Sequence, residues 1–305
     1  MPPARHQKND PASQEQVNDD APAPSPTAGA LYVVATPLGN LSDITLRAIE
    51  TLRQADLVAA EDTRVTATLL AAHGITTRMI AAHAHNEARV AERIAAEVAG
   101  GKQVALVSDA GTPGVSDPGA KIVAAVRAAG HTVIPIPGPN AAITALSASG
   151  FEGAFHFAGF LPTKTTARRE TLAALVALPA HVVLYEAPHR IATLAADIAA
   201  TCEDSRRVLI ARELTKRFET IATVTAGELC AWVAADPNRE RGELVVIIER
   251  GATPEAGAAE GERVLSLLLA ELPAARAAKL AAAITGASRE VLYQQALALR
   301  QQKAV

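Results

Sequence analysis

Aromatic side chains make up only 3% of this 305-residue chain, and Cys202 and Cys230 are its two cysteines. The cysteines lack metal-type spacing such as CxxC, which excludes a thiolate zinc site and fits a reducing cytoplasm. No uninterrupted apolar run approaches the roughly 20 residues of a membrane span, so no membrane association is expected. The motif GxxxxGK[ST] is absent, which argues against a P-loop nucleotide hydrolase. GxGxxG is absent after the first strand, which removes the ordinary dinucleotide fingerprint. An excess of basic charge is also missing. The formal net charge is −3, so any nucleic-acid contact must rest on a local patch, since phosphate binding needs Lys or Arg.

What is present describes a globular enzyme: 49% apolar and 20% charged residues, with much alanine. Residues 1–28 are rich in Pro, Asn, Gln, Ala and Asp, and Val17 is their only large aliphatic side chain beyond Met1. Such a segment is read as a disordered tail, because it cannot offset its ordering entropy by burial. Asp10, Glu15, Asp19 and Asp20 do not suit a transit peptide, and the apolar core of a signal peptide is missing.

From Leu31 onward, short β-rich runs alternate with amphipathic ones. Strands are expected at 31–35, 56–62, 78–83, 103–109 and 131–137, with helices at 44–54, up to His73, after Asn86 and at 120–130. Gly74 and Gly130 read as helix C-terminal glycines and Asn86 as an N-cap. This alternation implies βαβ units and a mostly parallel sheet, hence an α/β class. A second set follows, with strands at 155–159, 181–187, 206–213, 220–226 and 243–249 and helices at 140–149, 167–178 and 189–201. The runs 206–213 and 220–226, with no helix between them, read as an antiparallel pair. The organisation expected is a tail (1–28), an N-terminal α/β lobe (29–138), a C-terminal α/β lobe (139–250) and a linker (251–261). A three-helix segment (262–305) follows, with helices near 262–271, 274–285 and 289–301, the last capped by Ser288. No internal repeat is present.

In open parallel sheets, ligands bind beyond the carboxyl ends of the strands. Four strands here end in polar or Gly/Pro-rich loops: Thr36–Asn40, Glu61–Arg64, Ser108–Gly114 and Pro137–Asn140. One such loop is ordinarily a turn; four at one edge point to a ligand. Without a triphosphate cradle, that edge suits a ligand with an adenosine and little or no phosphate. Gly39, Gly111 and Gly138 would let backbone approach it. Asp109 could pair with an ammonium or a ribose hydroxyl, or simply cap the loop that follows.

The blocks VATPLGNLSDIT, AAEDTR, ALVSDAGTPGVSDPG, PIPGPNAAITALSASG, GFLPTK, LYEAPHR, ARELTK and GELVVIIE occur in order. In them the chain resembles the ribosomal RNA cytidine-2′-O-methyltransferase I family of the tetrapyrrole (corrin/porphyrin) methylase superfamily. The resemblance runs from about Leu31 to Glu249 and is weaker in the C-terminal helices. It implies a bilobed α/β homodimer holding S-adenosylmethionine in the cleft between lobes, with 16S ribosomal RNA of the small subunit as methyl acceptor. By the same resemblance, Pro37, Leu38, Gly39, Asn40, Asp109, Ala110, Gly111, Thr112 and Pro113 shape the cofactor pocket. Pro137, Gly138, Pro139, Ala142, Ile143, Tyr185 and Glu186 enclose it.

Methyl transfer to a ribose hydroxyl needs alignment and a base for the proton. Glu61, Asp62 and Glu186 are the acids at the proposed edge, and the choice among them stays open. Arg64 would orient one of them or hold a phosphate, or only pair with Asp62 or Glu61. His83 and His85 lack a carboxylate or cysteine partner, so a metal is not expected and RNA contact is the alternative. For RNA, the candidates are Lys164, Arg168, Arg169, His189, Arg190, Arg212, Lys216 and Arg217; the competing reading is a solvated charged face. A tetrapyrrole methylase and a non-enzymatic RNA-binding assembly factor are the competing functions.

Overall fold

The computed structural model describes residues 29–251 and 258–302. The 1–28 tail and the middle of the expected linker fall outside those residues. Contacts divide the chain into two compact units, one of Met1–Ala35 with Thr45–Pro137, the other of Thr36–Ile44 with Gly138–Val305.

The first unit is a five-stranded, wholly parallel sheet. Its strands are β1 (Ala30–Val34), β2 (Leu57–Ala60), β3 (Met79–Ala81), β4 (Gln103–Val107) and β5 (Thr132–Ile136). They lie in the order β3-β2-β4-β1-β5. Parallel strands are covered on both faces and so read as continuous apolar runs; all four residues of β2 are buried. The helices are α1 (Leu46–Gln54), α2 (Thr63–Ala72), α3 (Glu87–Ala99) and α4 (Ala120–Ala128). In α3, Val90, Ala91, Ile94 and Val98 recur at helical spacing and are buried. They join Leu31, Leu106, Ile122 and Val126 in one core.

Helix ends follow the sequence in most places. Gly74 and Gly130 adopt φ of 64° and 80°. At Gly74 the closing bonds are Ile75 N to Leu70 O (2.9 Å) and Gly74 N to Ala71 O (3.1 Å), as a left-handed terminus requires. Asn86 behaves differently from expectation. Its side chain makes no cap bond to α3. Instead Oδ1 accepts from His83 N (2.9 Å) and Nδ2 donates to Ala81 O (3.1 Å), closing the turn after β3.

The second unit carries a mixed sheet of β6 (Phe155–Phe160), β7 (His181–Glu186), β8 (Arg207–Arg212), β9 (Thr220–Thr225) and β10 (Leu244–Ile248). Its order is β6-β7-β10-β8-β9. Only β6 and β7 are parallel, and β8 and β9 pair antiparallel, as their spacing suggests. Helices α5 (Ala141–Ser147), α6 (Thr165–Val176) and α7 (Ile191–Thr201) accompany them, with a 3-10 turn at Pro188–Arg190 where a helix start was expected. Helix α8 (Ala226–Ala234) was not expected from the sequence. Thr225 and Glu228 form a reciprocal capping box at its start, a signal present in the sequence as TAGE.

Helices α9 (Ala258–Leu268), α10 (Ala274–Thr285) and α11 (Arg289–Gln302) share a core of Leu265, Ala277, Ala278, Ala281, Leu292 and Ala296. Helix α9 begins four residues before the expected 262. Gly286, at φ 72°, ends α10. The Ser288 hydroxyl accepts from Val291 N at 3.4 Å. Among the described residues no helix is long and apolar enough to cross a membrane.

Candidate functional site

In the first unit, β2 and β4 are neighbours and parallel, so the loops that follow them emerge side by side. Two hydrogen bonds tie these loops together. Asp109 Oδ1 accepts from Asp62 N at 2.9 Å, and Glu61 Oε2 accepts from Asp109 N at 3.3 Å. Asp109 therefore ties its loop to the neighbouring one, in addition to any ligand role.

Asp62 is the N-cap of α2, accepting from Arg64 N at 2.8 Å. The Arg64 guanidinium grips the same carboxylate, with Nε to Oδ1 at 3.0 Å and Nη2 to Oδ2 at 2.5 Å. That hydrogen bonding holds the Asp62 carboxyl down at about 2. Glu61 moves the other way, raised by burial and by the Asp109 and Asp62 charges. Asp109 is also raised, by burial and by Asp62. Of the three acids, Asp62 is thus the weakest proton acceptor, and the plain ion pair considered for Arg64 is present.

The loop from Ser108 to Gly119 is shaped by left-handed backbone. Gly111, Gly114, Ser116 and Gly119 have φ of 83°, 80°, 66° and 137°. Its far end rests on a residue that sequence reading missed. Glu87, 7% exposed, directs Oε1 to Gly119 N (2.9 Å) and Lys121 N (3.0 Å). The N-cap of α4 is Gly119, which has no side chain to cap the helix, so Glu87 supplies the cap from α3. A lone carboxylate in the first turn of one helix carries no local sign of a second helix that needs it.

His83 and His85 stand with ring centroids 6.0 Å apart. Among the described residues no three His, Cys, Asp or Glu side chains gather as a metal would require.

The remaining candidates, apart from Pro137, belong to the second unit. Asn40 caps a 3-10 turn at Leu41–Asp43 by accepting from Ser42 N at 3.1 Å. Leu38 packs on Ala142, Val183, Leu209, Leu214 and Val245. A Cβ added at Gly39 would run into the Lys216 side chain, so any larger residue there has to displace that lysine. The Lys216 ammonium pairs with Glu213 and Glu243, each at 3.0 Å. Pro137 and Gly138 are exposed, and Pro139 is half-buried. Asn140 caps α5 through Ile143 N (3.2 Å), and the Tyr185 hydroxyl accepts from Ala142 N (3.2 Å). Ala142 is buried, whereas Ile143 stands exposed.

Glu186, at the end of β7, is 3% exposed. Its Oε1 accepts from Ala187 N (2.8 Å) and pairs with Arg190 Nε (3.1 Å). Its buried Oε2 has no hydrogen-bond partner among the described residues. Burial pushes the carboxyl up, against the pull of Ala187 N, Arg190, Arg168 and His189.

The basic set divides. Arg168 is 4% exposed, bonded through Nε to Asp197 (2.6 Å) and through Nη1 to Thr163 O (3.2 Å). Its expected place among outward RNA contacts is corrected: the charge neutralises a buried aspartate. Arg190 likewise turns inward, to Glu186 and to Leu161 O at 2.9 Å. Arg212 Nε and Nη1 donate to Arg241 O (2.8 Å) and Phe218 O (3.1 Å), so it holds backbone. Lys164, Arg169, His189 and Arg217 remain exposed, although Arg169 also touches Asp197 at 2.7 Å.

The family model described as Tetrapyrrole (Corrin/Porphyrin) Methylases matches residues 30–230, and that described as RsmI C-terminal HTH domain matches residues 255–300. An Escherichia coli protein named ribosomal RNA small subunit methyltransferase I is 50% identical over 271 residues, spanning 88% of this chain and 95% of its own length. A Pseudomonas aeruginosa protein of the same name is 49% identical over 275 residues, spanning 89% and 98%. Among solved structures, the uroporphyrin-III C-methyl transferase from Thermus thermophilus, complexed with S-adenyl homocysteine, shares the fold. The TM-score is 0.53 at 17% identity, over 72% of this chain and 97% of that one.

Proposed function

The chain belongs to the tetrapyrrole (corrin/porphyrin) methylase family, alongside the ribosomal RNA small subunit methyltransferase I proteins, and from that premise we propose that it methylates small-subunit ribosomal RNA. It is an S-adenosylmethionine-dependent methyltransferase. The finer reading is transfer to the ribose 2′-hydroxyl of one cytidine in 16S RNA. The ribosomal RNA reading is carried by 50% identity to a protein named ribosomal RNA small subunit methyltransferase I over nearly its whole length, and the ribose and the cytidine follow from the motif resemblance.

The loop chemistry fits the cofactor. Ser108 is buried, and Gly111 takes a φ of 83°, a left-handed turn that glycine adopts without a Cβ in the way. We assign cofactor contacts to Asp109–Pro113 and Pro137 of the first unit. Bound there, the cofactor supplies a methyl group made electrophilic by its sulfonium. The protein's part is to align the acceptor oxygen, exclude water and take the proton.

For the proton we assign Glu186. One of its oxygens is fixed by Ala187 N and Arg190, the other lacks a protein partner among the described residues, and burial raises its basicity. Asp62, held at about 2, is a poor base, and its role with Arg64 and Glu61 is to hold the loops. Lys164, Arg169, His189 and Arg217 are assigned to phosphate contacts. A homodimer in the cytoplasm is part of the same reading, and light scattering on the purified chain tests the dimer.

The test of function is tritiated methyl transfer to unmethylated 30S subunits, naked 16S RNA and a tetrapyrrole precursor, side by side. Label on a cytidine ribose is the expected result. Label on the tetrapyrrole, or on a base, overturns it.

A further inference from the structure

The turn between β8 and β9 holds an aromatic ring out to water. Phe218 is 67% exposed, and the Arg217 guanidinium lies 5.6 Å from its ring centroid. Single exposed apolar residues are ordinary on protein surfaces. This one differs because the backbone beneath it is fixed from several sides. Arg212 Nη1 donates to the carbonyl of Phe218 itself (3.1 Å) while its Nε donates to Arg241 O (2.8 Å). Glu219 accepts from Thr215 N (2.5 Å), and Glu213 Oε1 accepts from Glu243 N (2.9 Å) and from Lys216 Nζ (3.0 Å). Two residues without the freedom of glycine, Glu213 and Thr215, take φ of 54° and 66°. Strained backbone of that kind persists only where its surroundings enforce it, and it gathers at ligand-handling segments.

The charges around the ring have a definite balance. The nearby acids are occupied: Glu213 and Glu243 by Lys216, Glu219 by Thr215 N. Arg217 is exposed and forms no ion pair among the described residues. An exposed aromatic face beside a guanidinium with no ion pair among the described residues matches an unpaired nucleotide, which offers a base to stack and a phosphate to neutralise. A second copy of this chain, with net charge −3, offers no such match by charge alone.

We propose that Phe218 is a stacking platform for an unpaired base of the RNA acceptor, with Arg217 on the adjoining phosphate; this rests on the ribosomal RNA reading above. The turn is then an acceptor-binding element, separate in role from Glu186, which handles the proton. Stacking needs a flat π-face, so an aliphatic side chain of similar bulk cannot replace it.

The experiment compares the full-length wild type with Phe218→Ala, Phe218→Leu and Phe218→Trp. It measures kcat and KM for unmethylated 30S subunits, S-adenosylhomocysteine affinity by calorimetry, thermal stability and mass by light scattering. The Ala and Leu variants are expected to raise KM for the subunit about tenfold, in line with one lost base stack. Cofactor affinity, melting temperature and mass stay at wild-type values, and Trp restores KM. An unchanged KM in Ala, or a Leu variant as good as Trp, overturns the stacking role. A change in mass with the Ala variant also overturns it and makes Phe218 a contact between copies. A wild type that transfers no label to any RNA overturns the acceptor reading itself, a result distinct from an active wild type with an equally active Ala variant.

Discussion

Glu87 Oε1 and the amide of Gly119 meet at 2.9 Å, although 32 positions separate them in the chain. The buried carboxylate sits at the start of one helix and completes the start of another. It thereby anchors the end of the loop whose beginning, Asp109–Pro113, is assigned to the cofactor.

Replacing Glu87 by Ala orphans the amides of Gly119 and Lys121. Each unsatisfied group costs about 1–3 kcal/mol when water cannot reach it, so a loss of roughly 3 kcal/mol in urea denaturation is expected. S-adenosylhomocysteine binding should weaken as well, while Glu87→Gln, which keeps an acceptor, should retain most of both. An Ala variant with wild-type stability would show that the loop does not depend on this carboxylate.

Glu186 should set the acid limb of the pH–rate profile. Its carboxyl is raised from 4.5 by burial, so kcat falls as pH drops through that raised value, and Glu186→Gln should lose activity at every pH. The stability effect has the opposite direction. A raised folded-state pKa means the fold binds the proton more tightly than the unfolded chain. The Glu186 contribution is thus full below 4.5 and lost as pH rises through the raised value. Melting curves of the Gln variant should therefore fall less between acid and neutral pH than those of the wild type.

Asp62 carries the reverse signature. Its carboxyl is depressed from 3.8 to about 2, so its stabilising effect is present above 3.8 and disappears as pH falls through 2. Asp62→Ala should lower the melting temperature at pH 7, with the gap to wild type closing near pH 2. Arg64→Ala should reproduce part of that gap. A gap that persists at pH 2 would assign the effect to something other than the charge.

Arg168 and Arg169 share Asp197 but differ in exposure, with side chains 5% and 60% exposed. Arg168→Ala leaves a buried carboxylate short of its main partner, and breaking such a pair costs about 3–5 kcal/mol. Arg169→Ala should cost well under that, because solvent screens an exposed pair. Thermal denaturation of both variants checks the order. If Arg168→Ala is as stable as wild type and loses RNA binding alone, the arginine is an RNA contact after all.

Local signals carried much of the fold. The glycines at 74 and 130 announced their helix ends, and the apolar runs of β2 and β10 announced buried strands. Thr225 and Glu228 announced α8 just as plainly, but Thr225 falls inside the strand expected at 220–226, which hid the capping box. Asn86 shows the limit of capping rules, since its amide had two backbone partners in the preceding turn and took them instead. The loop edge was legible because Gly, Pro and Asp cluster after several strands. Partnerships across sequence were not. Nothing near Arg168 reveals that Asp197 lies beside it, and nothing near Arg212 reveals the carbonyls of Phe218 and Arg241. Charge alone therefore overstated the outward basic set.

The membership of Thr36–Ile44 in the second unit, between β1 and α1 of the first, has a consequence for how the chain can be divided. Neither unit is a continuous stretch of polypeptide. A fragment beginning at Gly138 would lack Leu38, which fills part of its core, and Gly39, which lies under Lys216. During synthesis, Leu38 leaves the ribosome long before Val183, Leu209 and Val245, members of the cluster it packs against. The early segment must wait, and the closure of that long loop is deferred until the last strand, β10, has been made. Gene fusions or split versions that separate the two units at Pro137 would therefore strand nine residues on the wrong side of the cut.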